Sequence, residues 1–127
     1  MDFAGTVFVI PAAVMVFLVA TLHVYILVLE MFLWRKPRGL RSFGMTQEVA
    51  DSSAKLAANQ GLYNGFLAAG LLWGLVAYGV VEGRAILTFY LLCVIVAGIY
   101  GGATVNRRIT LIQSVPAAIA LILVWLS

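Results

Sequence analysis

Four stretches of this chain are nearly unbroken runs of apolar residues, and each is long enough to cross a bilayer. The first extends from about Phe3 to Trp34 and is interrupted inside by Pro11, Thr21, His23 and Glu30. The second, about Leu56 to Val81, opens on the polar set Asn59, Gln60 and Asn64. The third runs from about Ala85 to Val105, the fourth from about Ile109 to Leu126. A helix rising 1.5 Å per residue needs about 20 apolar residues to cross a hydrocarbon core of ~30 Å. All four runs meet that length, and the first exceeds it, so it must tilt or project. Spans at about 6–34, 57–81, 85–105 and 109–126 follow, in one transmembrane domain covering 1–127. The predicted fold class is all-α, an integral membrane four-helix up-down bundle.

Between the first two runs lies the one long connection, about 35–56. Arg35 to Gly44 reads as a basic turn in which Pro37 and Gly39 break the helix. Thr46 is a candidate N-cap for a helix through Glu48, Asp51 and Lys55, with Asp51 and Lys55 as an i,i+4 pair. The pattern leaves open whether residues 46–56 lie on the membrane surface or extend the second span. Glu82–Gly83–Arg84 is short enough to make the second and third runs a tight antiparallel hairpin.

Composition excludes a water-soluble domain. The chain is 64% hydrophobic and 10% charged, against about 25% charged in an average soluble domain. The net charge of +3 is explained by orientation rather than by nucleic acid. Seven of the eight cations (Arg35, Lys36, Arg38, Arg41, Lys55, Arg107 and Arg108) fall in two connections that share a side in an up-down bundle. Arg84 alone falls on the other. The positive-inside rule puts the crowded side in the cytoplasm and both termini on the non-cytoplasmic side. Trp34 then suits the inner interface, and Tyr78 and Trp125 the outer one. The expected partners are membrane lipids, with no nucleic acid. Met1 to Thr6 has no cation and the apolar run behind it is too long for a signal peptide, so the first run is expected to be retained. The lone Cys93 reads as a small buried apolar residue.

Glycines recur at four-residue spacing in the pairs Gly61/Gly65, Gly70/Gly74 and Gly98/Gly102. Such spacing aligns them on one helix face and lets backbones approach. Packing inside the four-helix unit is the favoured reading, and a homodimer through the glycine faces is the other.

The informative residues are those a membrane span should not contain. Burying an ionisable side chain there costs on the order of 2.5–3.5 kcal/mol on insertion scales. His23 and Glu30 are seven residues apart on one helix, so they face the same way at about 10 Å separation. Measured from Trp34, Lys55 and Arg107, Glu30 lies about 6 Å deep, Gln60 about 7 Å, Gln113 about 9 Å, Asn64 about 13 Å and His23 about 16 Å. Gln60, Tyr63 and Asn64 share one helix face, and Asn106, Thr110 and Gln113 another. The polar set therefore gathers in the cytoplasmic half. Either it is a hydrogen-bond network that fixes helix register, at about 0.6 kcal/mol per bond, or it lines a cytoplasm-facing pocket. Glue alone rarely needs a carboxylate.

A histidine and a carboxylate are the minimum for proton transfer, which makes His23 and Glu30 the candidate catalytic pair. Asn59, Gln60, Tyr63, Asn64 and Gln113 are the candidate ligand-binding residues. No metal is expected, because one His, one Glu and amides are not a standard ligand set. No cofactor is implied: a second axial His for haem is lacking, no serine matches the depth of His23, and no phosphate-binding glycine loop is present.

Three segments resemble a known family. They are Leu22-His23-Val24-Tyr25 through Leu29-Glu30-Met31-Phe32-Leu33-Trp34, then Ala57-Ala58-Asn59-Gln60-Gly61-Leu62-Tyr63-Asn64-Gly65-Phe66, then Gln113-Ser114-Val115-Pro116-Ala117. They resemble domain-of-unknown-function family 1304, a bacterial family of small membrane proteins. The resemblance covers nearly the whole chain, and the Ala-Asn-Gln-Gly-x-Tyr-Asn block is its most specific part. It implies a four-helix protein of a bacterial inner membrane with recurrent polar positions at His23, Glu30, Asn59, Gln60, Asn64 and Gln113. It implies no activity. The expected function is binding of a small or lipid-derived ligand in the polar pocket. A small proton-coupled exporter and a non-catalytic membrane scaffold are the alternatives.

Overall fold

The computed structural model describes residues 3–127, which form five helices and no strand. α1 is Phe3–Met31 and α2 is Pro37–Phe43. α3 spans Gln47–Glu82, with a π-helical turn at Gly74–Tyr78. α4 is Arg84–Thr104. α5 spans Arg107–Leu126, with a second π-turn at Thr110–Ser114. α1, α3, α4 and α5 are each long and apolar enough to cross a membrane. The described residues are all-α, with four helices able to cross a membrane, as the apolar runs predict.

The connection between the first two spans differs from expectation. α1 stops at Met31 instead of reaching Trp34, and the predicted basic turn is partly the helix α2. Pro37 ends nothing here: it stands in the first turn of α2, where its missing N–H and fixed φ cost nothing. Gly39 lies in the interior of α2 because that helix presses on the backbone behind it. A Cβ at Gly39 would run into the carbonyl oxygens of Leu33 and Trp34. Gly44 closes α2 in the left-handed region, φ 62°. Thr46 is the cap the sequence predicts, its Oγ1 accepting from Val49 N at 3.2 Å. Residues 47–56 then continue into the second span as one unbroken helix, which decides the open alternative. Asp51 accepts from Gln47 Nε2 at 2.9 Å, a bond within the first turns of α3 that the expected Asp51–Lys55 pair does not anticipate.

Contacts gather into two compact units. One is Thr21–Ala68, comprising the end of α1, α2 and most of α3. Here α1 and α3 run antiparallel. Ideal Cβ atoms at Gly61 and Gly65 would fall 2.7 Å from Met31 Cγ and 2.6 Å from Leu27 Cδ1, and Trp34 Nε1 donates to Ser53 Oγ at 3.0 Å. Ala50, Ala57, Asn64 and Ala68 form the buried stripe of α3, at the i, i+3, i+4, i+7 spacing of one helix face.

The second unit contains Ala69–Ser127 and α1 as far as Ala20. The end of α3 and the start of α4 form the predicted tight hairpin. A Cβ at Gly70 would strike the Tyr90 ring, and one at Gly74 would lie 3.0 Å from Ile86 and Leu87. α4 and α5 are joined by Ser114 Oγ to Ile95 O at 2.8 Å and Thr110 Oγ1 to Gly98 O at 2.7 Å. Trp125 Nε1 donates to Thr88 Oγ1 at 3.0 Å. Leu71, Leu87, Leu91, Val94 and Val124 are fully buried. Gly79, at φ 85°, ends the π-turn in a conformation that only glycine adopts without strain.

All six paired glycines thus face neighbours in their own chain, since Gly98 and Gly102 meet Ser114 and Thr110. These contacts are the packing within the chain that the four-residue spacing suggests.

Candidate functional site

Glu30 occupies the last turn of α1, one residue from its end. It is 8% exposed, and Asn64 is 7% exposed. Asn64 Nδ2 donates to Glu30 Oε1 at 2.6 Å and makes a longer bond, 3.2 Å, to the Gln60 carbonyl one turn earlier on its own helix. Gly61 makes this possible. Its ideal Cβ would lie 3.0 Å from Glu30 Cβ, so the missing side chain brings the α3 backbone against α1 at the height of the carboxylate.

Next to Glu30 is a cavity of about 160 Å³, lined by Glu30, Phe32, Trp34, Arg35, Lys36 and Ala54 among others. It is smaller than the ~300 Å³ that marks the low end of drug-sized pockets. The arginine and lysine come from the segment that turns from α1 into α2. The sequence showed them as topology-setting charges, and nothing in the hydropathy pattern indicates that they flank the carboxylate.

His23 is fully buried at 0% exposure, on the α1 face that also buries Val16, Val19 and Glu30. It does not line the cavity, and its seven-residue offset places it about 10 Å along the helix from Glu30. The other candidates are more dispersed. Asn59, Gln60 and Tyr63 are exposed on the surface of the chain. Gln113 is half-buried in the π-turn of α5, beside Gly98, and belongs to the other compact unit. Of the set, the structure joins Glu30 to Asn64.

The predicted polar face of α5 is also altered. Asn106 accepts from Arg108 N at 2.9 Å as the cap of that helix. Thr110 and Ser114, not Gln113, bond to α4. A π-turn inserts an extra residue and shifts the face that follows. Thr110 and Ser114 stand four residues apart and face α4 together, and Ser114 is buried there. Among the described residues no three His, Cys, Asp or Glu side chains come together to hold a metal ion.

Comparison with known proteins adds identity. A family described as "Protein of unknown function (DUF1304)" matches residues 17–125, which includes His23, Glu30, Asn64 and Gln113. The uncharacterized protein YpaA of Lactococcus lactis subsp. lactis (strain IL1403) is 34% identical over 107 residues, 83% of this chain and 88% of the relative. No solved structure matches. With the family's pattern running through both compact units and across the Glu30–Asn64 pair, the chain belongs to the DUF1304 family of proteins of unknown function.

Proposed function

We propose that this membrane protein binds a small or lipid-derived ligand at Glu30, with Glu30 and His23 as proton-transfer groups. The observation that carries the reading is a buried carboxylate, held by Asn64, beside a cavity lined by two cations. Structural economy does not account for that carboxylate. Burial in a span opposes it, and so does its place in the last turn of a helix, where the macrodipole favours cations by about 0.3–1 kcal/mol. An asparagine or serine would hold Asn64 at lower cost.

The cavity's size limits what enters to one polar group of a ligand, such as a carboxylate, phosphate or hydroxyl, with Arg35 and Lys36 complementing negative charge. The exposed Asn59, Gln60 and Tyr63 contact such a ligand only where the rest of it lies along the outside of α3. The charge bias supports an inner-membrane orientation with the residue 35–56 connection in the cytoplasm and both termini outside, so the cavity opens to the cytoplasmic side. The family resemblance supports a bacterial membrane.

A thermal-shift screen of small polar metabolites and lipid fragments, run on wild type and Glu30→Gln in parallel, tests the reading. A ligand that binds the folded state raises its melting temperature. The expected result is a compound that stabilises wild type and not the variant. Equal stabilisation of both removes Glu30 from the site. Loss of dye efflux in cells carrying Glu30→Ala, with no such compound found, would favour the exporter. Variants that change stability alone would favour the scaffold.

A further inference from the structure

The outward side of α2 has a feature the Glu30 site does not use. Arg38 donates from Nη1 to the Tyr25 hydroxyl at 3.0 Å. Tyr25 is on α1, six residues before its end, about 9 Å along the axis at 1.5 Å per residue. A long cationic side chain at a membrane boundary ordinarily extends towards water. Arg38 instead turns back along a membrane-spanning helix, and its partner there is a neutral phenol. One of its five N–H donors is used and the positive charge is left uncompensated by that bond.

α2 is seated against its neighbours. Gly39 seats α2 against the Leu33 and Trp34 backbone. The Trp34 and Phe43 rings lie 4.7 Å apart between centroids, and Gln47 Nε2 ties the Arg35 carbonyl from α3 at 3.3 Å. Arg41 is three residues on, so it shares the Arg38 side of α2, and both are exposed. Tyr25 is 42% exposed, and Phe32, seven residues on along the same side just past the end of α1, is 64% exposed, an apolar and aromatic rim suited to acyl chains. Of the carboxylates near in sequence, Glu30 is buried and accepts from Asn64, while Glu48 and Asp51 stand on the first turns of α3, where Asp51 accepts from Gln47.

We propose that Arg38, positioned by Tyr25 and assisted by Arg41, binds the phosphate of an anionic phospholipid from the surrounding leaflet. A guanidinium with free donors at the depth of the headgroup layer matches phosphate in charge and geometry. Sources of the same chemistry differ in their tails: the Phe32 and Tyr25 surface contributes only to a lipid.

Native mass spectrometry of the detergent-purified chain, exchanged against phosphatidylglycerol or phosphatidylcholine, tests this. Wild type should retain phosphatidylglycerol in preference, and millimolar inorganic phosphate should not displace it. Arg38→Gln should lower retention about fivefold, the scale of one cation at an anionic surface. Tyr25→Phe should lower it in the same direction with the charge intact, whereas Arg108→Gln, which removes a cation from the other connection, should leave it unchanged. Equal retention of the two lipids, displacement by free phosphate, or full retention in Arg38→Gln would overturn the proposal. Arg38 and Tyr25 do not line the cavity beside Glu30, so failure here leaves the Glu30 site standing.

Discussion

Asn64 reaches across from α3 to place its amide 2.6 Å from the Glu30 carboxylate, and the contact depends on Gly61 having no side chain. Three residues within one turn of α3 therefore serve one acid on α1. The amide supplies the bond, the glycine supplies the approach, and the Gln60 carbonyl holds the amide in place.

Removing the amide should cost more than altering the acid. Asn64→Ala leaves a buried carboxylate without its bond, a loss of about 1–3 kcal/mol. Glu30→Gln keeps an acceptor for Asn64 Nδ2 and should melt close to wild type. Thermal unfolding in detergent compares them, and the Asn64→Ala/Glu30→Gln double variant should be less destabilised than the single changes sum to.

Gly61→Ala should destabilise by about 1–3 kcal/mol, the usual cost of overpacking. The added Cβ would meet Met31 Cγ at 2.7 Å, Glu30 Cβ at 3.0 Å and the Leu27 carbonyl at 3.2 Å. The same change should weaken ligand binding at Glu30, because it separates Asn64 from the carboxylate. A melting curve combined with the ligand screen measures both.

Gly39→Ala tests the elbow between α1 and α2. Its Cβ would meet backbone oxygens, which cannot rotate away as a side chain can. The Trp34–Phe43 contact and the Trp34–Ser53 bond should loosen together. Faster proteolysis within residues 35–46 is the expected readout, with the four long helices retained by circular dichroism.

How much was legible follows from where polarity contrasts with its surroundings. The spans stand out because each is a long apolar run, and the Thr46 cap and the Glu82–Arg84 hairpin because local chemistry dictates them. The buried stripe of α3 did not stand out. In a membrane the outward face of a helix is as apolar as its inward face, so Ala57, Gly61 and Ala68 gave no contrast against Leu62 and Phe66. Spacing puts Gln60 and Tyr63 on the same side of α3 as Asn64, yet both are exposed and lie off that stripe. His23 and Glu30 were found because an ionisable residue in a span is costly wherever it faces. The π-turns at 74–78 and 110–114 carry no such signal, and on the face of α5 that meets α4 it is Thr110 and Ser114, four residues apart, that bond, not Gln113.

Orientation can be read with single cysteines in a Cys93→Ala background. A membrane-impermeant maleimide applied to intact cells should label Glu82→Cys, in the α3–α4 connection, and spare Ser42→Cys at the end of α2. Labelling in the reverse pattern would place the residue 35–56 connection outside the cell.

The central claim is that Glu30 is the binding group of a ligand site rather than a strut. Native mass spectrometry of gently extracted wild type beside Glu30→Gln and His23→Ala tests it most directly. A bound mass, distinct from bulk phospholipid, that is present in wild type and absent from Glu30→Gln is the predicted result, with His23→Ala reducing its occupancy. The same mass retained at full occupancy in Glu30→Gln, or no bound mass in any form while the variants differ only in stability, would contradict the claim and leave the Glu30–Asn64 bond a structural link.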